Sequence, residues 1–129
     1  MKLKVLDLSR VLAGPVCSMM LGDLGADVVK VERPGEGDET RGWGPPFNGD
    51  GESAYFLAIN RNKLSLAADL SDEADRATVL GLIRDADVVL ENFLSGSLAR
   101  LGLDPDRLLE ENPALIWCSI SGFGPDSSR

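Results

Sequence analysis

The chain contains no histidine among its 129 residues and only two cysteines. Without imidazole, histidine base catalysis and histidine-ligated metals are excluded within this sequence. Cys17 and Cys118 lie far apart, one in a predicted apolar helix face and one in a predicted strand. We therefore expect buried, reduced thiols of a cytoplasmic protein, without a disulfide and without a metal. No apolar run reaches the length of a membrane span and no signal peptide is visible, so no membrane partner is expected.

Positive charge is also scarce, because 13 Lys and Arg residues stand against 21 Asp and Glu residues, a formal net charge of −8. This excess of acid argues against non-specific binding of nucleic acid or of an anionic membrane. It does not exclude an anionic small molecule, since several cations lie near predicted strand ends or loops. These are Arg10, Arg33, Arg41, Arg61, Lys63 and Arg100.

Residues 4–34 predict a strand–helix–strand unit. Strands are expected at residues 5–8 and 27–33, with Gly14 in the turn and Pro15 at the first helical position. Gly25 is expected as a left-handed cap at the helix end. The predicted buried helix face, from spacings of three and four, consists of Val16, Met19, Met20 and Leu24. Such a unit implies parallel strands and a right-handed crossover.

The rest of the chain repeats this alternation. A loop rich in glycine and proline occupies residues 34–53, and further strands are predicted at 64–68, 87–91 and 114–120, with helices between most of them. We predict an α/β fold with a Rossmann-like, doubly wound, mainly parallel sheet. Since the last residues form a polar loop after a strand, we expect residues 1–129 to be the first part of a longer protein.

Ligands of such sheets bind beyond the carboxyl ends of the strands. The dinucleotide fingerprint needs three glycines, but here only Gly14 is present, and Val16 and Met19 occupy the other two positions. Arg33 follows the second strand, and its position has two interpretations. It binds a ligand, by stacking on a base or holding a phosphate, or it forms a surface ion pair with Glu32 or Glu36.

Other polar residues near these strand ends have the same two interpretations, a ligand-binding role or a structural role. Asn92 and Arg100 follow the fourth strand, Asp7 and Asp69 are possible site acids, and Ser71 is expected to cap the next helix. No nucleophile is placed beside a base, so no residue is named catalytic on physical grounds, and no metal site is predicted.

The motifs together resemble one family. The run LDLSRVLAGPVCSMMLGDLGADVVKVERPGEGDETRGWG is followed by NRNKLSL, DVVLENF and SISGFG. In this order and spelling they resemble the class III CoA transferases, the CaiB/BaiF group, which includes formyl-CoA and carnitine CoA transferases and the related α-methylacyl-CoA racemases. The resemblance extends from Leu3 to Pro125.

The resemblance implies a set of contacts to coenzyme A at the strand ends. Arg33 would meet the adenosine end and Arg100 the phosphates, while some members carry a lysine where Ser71 stands. The implied binding residues are Val11, Leu12, Arg33, Ala68, Ser71, Asn92, Phe93 and Arg100. No metal is implied, and residues 1–129 would be the incomplete N-terminal, CoA-binding part of the large Rossmann-like domain.

The implied chemistry moves CoA from an acyl-CoA to a carboxylic acid acceptor through an aspartyl-CoA thioester. The nucleophilic aspartate is expected beyond Arg129, so this segment alone should be inactive. The resemblance further implies that two full-length subunits would interlock as a homodimer. The alternatives are the racemase branch and a non-catalytic CoA-binding or assembly module.

Overall fold

A five-stranded sheet, parallel throughout, organises the chain. The structure, a computed structural model, describes residues 2–124. The strands are β1 (Lys4–Asp7), β2 (Asp27–Glu32), β3 (Lys63–Ala67), β4 (Val88–Glu91) and β5 (Ile116–Ser119). Their spatial order is β3-β2-β1-β4-β5, so the chain winds outward from β1 in one direction and then crosses to continue in the other. This confirms the predicted doubly wound α/β fold.

Five helices and one 3-10 helix connect the strands. They are α1 (Ala13–Asp23), the 3-10 helix Glu39–Gly42, α2 (Ala54–Asn60), α3 (Glu73–Asp85), α4 (Ser97–Arg100) and α5 (Pro105–Glu111). The cap predicted for α3 was wrong: Asp72, not Ser71, accepts the N–H of Asp75 at 3.0 Å. Ser71 instead donates to Asp69, which forms the turn before the helix. Within residues 2–124, no helix is long and apolar enough to cross a membrane.

Side chains from alternate strand positions build a hydrophobic core on each face of the sheet. Leu6 points to the larger core, which α3, α4 and α5 cover with residues such as Val79, Leu98 and Leu108. Val5 points to the smaller core, covered by α1. β4 is buried along its whole length because helices cover both faces of the sheet at this strand, as its apolar sequence predicts.

The two cysteines are closer together than the sequence suggests. Cys17 of α1 and Cys118 of β5 pack against the same small core, and both are free and only half buried. Burial, followed by the charge of Cys118 and then of Asp7, raises the pKa of the Cys17 thiol. The thiol is therefore held in its protonated, weakly nucleophilic form.

The buried face of α1 differs from the predicted one. Met20 and Leu24 are 57% and 85% exposed, whereas Pro15, Ser18 and Met19 face inward. Pro15 is the third residue of the helix, not the first. The cause is Gly14, at which a Cβ atom would overlap the side chain of Ser9. Gly14 therefore lies inside the helix and not in the preceding turn, and its close approach brings this side of α1 against Ser9, away from the side that carries Met20.

Candidate functional site at the carboxyl edge of the sheet

A cleft of about 420 Å³ opens at the carboxyl ends of β1 to β4. It includes the point between β1 and β4 where the winding reverses, which is where ligands of doubly wound folds bind. Leu8, Val31 and Ala68 form an apolar floor, and polar side chains stand around it. Four of the eight predicted binding residues line this cleft: Arg33, Ala68, Ser71 and Phe93.

The other four predicted residues lie outside the cleft lining. Val11 and Leu12 form the turn between β1 and α1, and Leu12 is 46% exposed. Asn92 follows β4 and uses its side chain to hold that turn. Arg100 is an exposed residue of α4 whose guanidinium donates to Ser97 at 2.9 Å, and its neighbour Leu101 reaches the cleft.

Side chains from three directions hold the turn at residues 9–11. The Asn92 amide oxygen accepts the Arg10 N–H at 2.9 Å and its amide nitrogen donates to the Arg10 carbonyl at 2.8 Å. Lys30 donates to the Ser9 carbonyl at 2.8 Å. Val11 adopts a φ of +68°, an outlier for a β-branched residue, and its N–H donates to Asp38 at 3.2 Å. Strained turns of this kind persist only where the surroundings determine them, and they concentrate at functional sites.

The ion pair beneath this turn is buried. Lys30 Nζ lies 2.9 Å from Asp38 Oδ2, and their side chains are 2% and 1% exposed. Burial opposes ionisation of Asp38, but hydrogen bonds from the Thr40 N–H, from Lys30 and from the Thr40 hydroxyl outweigh it and lower the Asp38 pKa. The loop rich in glycine and proline is thus anchored at Asp38 and continues into the 3-10 helix.

A second buried carboxylate fastens the same loop. Glu32, at the end of β2, accepts two hydrogen bonds from Arg41, at 2.6 and 2.7 Å, and one from Ser65. The Arg41 guanidinium also lies 3.8 Å from the centre of the Phe56 ring. Burial raises the pKa of Glu32, but the hydrogen bonds from Arg41, the Asp38 N–H and Ser65 prevail and bring it from 4.5 to about 2.

Glu32 should therefore stabilise the chain against acid. Because its folded-state pKa of about 2 lies below the ordinary 4.5, its contribution is complete above pH 4.5 and is lost as the pH falls towards 2. We expect Glu32→Gln to lower the free energy of unfolding by about 2 kcal/mol at pH 7, a value that allows for the partly exposed Arg41. The free energy of unfolding of the variant should also fall less steeply as the pH decreases. Urea titrations at pH 2.5 to 7 measure this, with the exposed Glu36→Gln as control; parallel pH curves for wild type and Glu32→Gln would contradict it.

Asp7, a predicted site acid, and Lys63, one of the predicted cations, form a third buried ion pair outside the cleft lining. Asp7 is fully buried and accepts hydrogen bonds from Ser9 and Ser18, and Lys63 lies 3.3 Å from it. Lys63 also donates to the Pro15 carbonyl at 2.7 Å. Burial, opposed by Asp7, lowers the pKa of Lys63 to about 8. Asp7 and Lys63 therefore join α1 to the sheet and are not among the residues that line the cleft.

Most of the cations are paired, which leaves few for an anionic ligand. Across residues 2–124 only Arg33, Arg76 and Arg100 form no ion pair with an acidic side chain. Neither Glu32 nor Glu36 pairs with Arg33, so its surface-pair interpretation was wrong. Arg76 donates weakly to the carbonyls of Leu70 and Ser71, which line the cleft. Arg33 thus lies in the cleft wall, Arg76 contacts residues of that wall, and Arg100 directly precedes the lining residue Leu101.

Four carboxylates line the cleft, and they differ in whether an ion pair already neutralises them. Asp69 lines the cleft, and hydrogen bonds from the side chain and N–H of Ser71 lower its pKa. Glu36 is exposed at the rim, whereas Glu32 and Asp38 are already neutralised. Within the described residues, no group of three or more His, Cys, Asp or Glu side chains could hold a metal ion. The nucleophilic aspartate expected beyond Arg129 lies outside these residues.

Sequence reasoning missed the buried ion pairs, although signals for them exist. Lys30 interrupts the apolar strand DVVKVE, and a lysine in a strand covered on both faces requires an acidic partner. Asp38, two residues before Thr40, has the spacing of an N-cap. Arg10, named only among the scattered cations, proves to line the cleft.

The fold and the cleft define an α/β domain with a candidate ligand site at the topological switch point, where cations are available for an anionic ligand. The chain belongs to CoA-transferase family III, whose sequence profile matches residues 2–129. This confirms the resemblance drawn from its motifs.

Named relatives agree with this assignment. The chain is 54% identical over 127 residues to a succinate–glutarate CoA-transferase of Agrobacterium fabrum, covering 95% of this chain and 32% of that protein. It is 52% identical over 126 residues to a succinyl-CoA:mesaconate CoA-transferase of Haloarcula hispanica, covering 95% and 31%. The crystal structure of a CaiB/BaiF family protein from Brucella suis superposes with a TM-score of 0.91 at 53% identity, covering 97% of this chain and 34% of that one. The chain spans about a third of the length of these relatives.

Proposed function

We propose that this chain provides the CoA-binding edge of an enzyme that transfers CoA from an acyl-CoA to a carboxylic acid. The observation that supports this most directly is the switch-point cleft with Arg33 at its wall, in a chain of CoA-transferase family III. The transfer would proceed through an aspartyl-CoA thioester on a residue outside those described. The transferase names of the relatives favour this reaction over racemisation.

The residues proposed to contact CoA provide both charged and apolar surface. Arg33 offers a planar cation with no carboxylate partner in residues 2–124, suited to stacking on adenine or to holding a phosphate. Ala68 and Phe93 supply apolar surface beside it, and Ser71 supplies a hydroxyl. Arg100 would add positive charge from α4.

Three further proposed residues act around the turn after β1. Val11 and Leu12 would face the pantetheine and thioester end, where the strained turn lifts them from the sheet. Asn92 would contribute by fixing that turn through its two hydrogen bonds to Arg10. Its predicted direct contact with CoA would use the second amide hydrogen, which these bonds leave available.

We further propose that the acids are dicarboxylic. Succinate, glutarate and mesaconate, which occur in the names of the relatives, all carry two carboxylates. The enzyme would act in the cytoplasm as a homodimer, with residues 1–129 as the N-terminal part of its large domain. Met20, Leu24 and Leu64 expose apolar side chains that such an association could bury.

Calorimetric titration of the chain with CoA tests the site. Replacing Arg33 by alanine should weaken CoA binding by about tenfold or more, because a charge-assisted hydrogen bond contributes about 1.5–3 kcal/mol. Arg107→Ala is the matched control, since Arg107 pairs with Glu111 on α5, away from the cleft. Equal affinity of wild type and Arg33→Ala would remove Arg33 from the site, and absence of CoA binding by the wild type would contradict the proposed function.

A further inference from the structure

Arg10 is a cleft-lining cation to which the proposed CoA contacts give no role. It follows β1 at the switch point, and its side chain is 33% exposed. Its guanidinium lies 5.5 Å from the centre of the Phe93 ring, and its Nη1 atom donates to Glu39 Oε1 at 3.0 Å. A guanidinium in this position can present its remaining N–H groups to a ligand in the cleft.

Both the backbone and the side chain of Arg10 are held by the residues that follow β4. Asn92 bonds the N–H and the carbonyl of Arg10, and Phe93, the next residue, carries its ring beside the guanidinium. Lys30 and Asp38 fix the backbone on either side of Arg10, while Phe93 and Glu39 hold its guanidinium at the cleft. Such preorganisation lowers the entropic cost of binding.

The partner of Arg10 is a carboxylate that a ligand can replace. Glu39 is 46% exposed, and an exposed ion pair of this kind contributes little to stability. The backbone of Glu39 is held by its neighbours, since Asp38 and Thr40 on either side are buried and hydrogen-bonded to each other, while its carboxylate stays free to turn to solvent. It therefore marks a position beside Arg10 that already accommodates one carboxylate.

We propose that Arg10 is a specificity-determining residue that binds the far carboxylate of a dicarboxylic acyl group or acid, in exchange for Glu39. The proposal rests on the function proposed above and adds to it the residue that recognises the second carboxylate. Glu39 reduces the positive potential at Arg10, which disfavours a phosphate dianion there relative to a single carboxylate. Arg33 has no such acidic partner in residues 2–124, and it is the better phosphate ligand.

Calorimetry with matched thioesters tests this role. The 129-residue chain is titrated with CoA, with succinyl-CoA and with butyryl-CoA, which has the same acyl length but no terminal carboxylate. Wild type should bind succinyl-CoA about tenfold more tightly than butyryl-CoA, and Arg10→Gln should abolish that preference while its CoA affinity stays within about twofold. Glu39→Gln should strengthen succinyl-CoA binding by roughly two- to fivefold, because the competing carboxylate is removed.

A control variant and the contrary outcomes separate this inference from the proposed function. Arg61→Gln breaks an exposed pair with Asp23, outside the residues that line the cleft, and should leave the affinities for CoA, succinyl-CoA and butyryl-CoA unchanged.

If CoA binds but wild type does not distinguish succinyl-CoA from butyryl-CoA, this inference fails and the proposed function stands. If Arg10→Gln weakens CoA as much as succinyl-CoA, Arg10 contacts the CoA portion and the inference is overturned. If wild type binds no CoA, both are overturned. Glutarate and butyrate, titrated separately, show whether the acceptor acid uses the same residue.

Discussion

Replacing Asp38 by asparagine is expected to lower the free energy of unfolding by about 3–5 kcal/mol, as for other buried ion pairs that lose one partner. The substitution keeps the size of the side chain but leaves the ammonium of Lys30 buried without a countercharge, 2.9 Å from a neutral amide. It also weakens the acceptor of the Val11 N–H, so the turn after β1 loses one of its fixed points. Urea denaturation at pH 7 measures the effect.

The chain contains a matched control for this substitution. Asp85 pairs with Lys4 at 3.2 Å, but the two side chains are 78% and 58% exposed, so Asp85→Asn should cost less than about 1 kcal/mol. If Asp38→Asn fails to fold, the double variant Lys30→Met, Asp38→Asn keeps the idea testable, because the asparagine oxygen still accepts hydrogen bonds from Thr40. It removes both charges and should recover much of the stability. A cost for Asp38→Asn no larger than that for Asp85→Asn would show that the buried pair is not a structural anchor.

The sequence predicts the fold well because its signals are local and repeated. β4 illustrates this, since the run Val88-Val89-Leu90 is apolar throughout and is buried on both faces. The cap at Asp104 with Pro105 at the first position of α5 is likewise a short-range pattern, and the structure has it. Such features depend on a few consecutive residues and on the period of the element.

The candidate site was only partly predictable because its geometry depends on partners far apart in the chain. The edge at which the cleft opens followed from topology, and Arg33, which was predicted to contact the ligand, lines that cleft. Asn92 bonds Arg10 across 82 positions, and no local pattern indicates that pairing. Met20 was expected in the core because spacing gives a helix face but not its rotation, which depends on how closely Gly14 approaches Ser9.

Replacing Gly14 by alanine is expected to lower the free energy of unfolding by about 3 kcal/mol, at the upper end of the cost of overpacking. The added Cβ would overlap both Cβ and Oγ of Ser9. Ser9 cannot move aside easily, because its N–H and hydroxyl both donate to Asp7 and its carbonyl accepts from Lys30. Either α1 lifts from the sheet or the turn after β1 shifts, so CoA affinity should fall together with stability.

Gly81→Ala separates this clash from the general preference of helices for alanine. Gly81 lies in α3 and has no atom within 4 Å of the position of an added Cβ, so alanine there should stabilise the chain by about 0.5–1 kcal/mol. A second test uses Ser9→Gly, which removes the atoms that collide and leaves Ser9 Cα at 3.7 Å, an ordinary contact. In a double-mutant cycle, Gly14→Ala should cost much less in the Ser9→Gly background than in the wild type. An equal cost in both backgrounds would mean that something other than the Ser9 side chain limits the approach of α1 and sets its rotation.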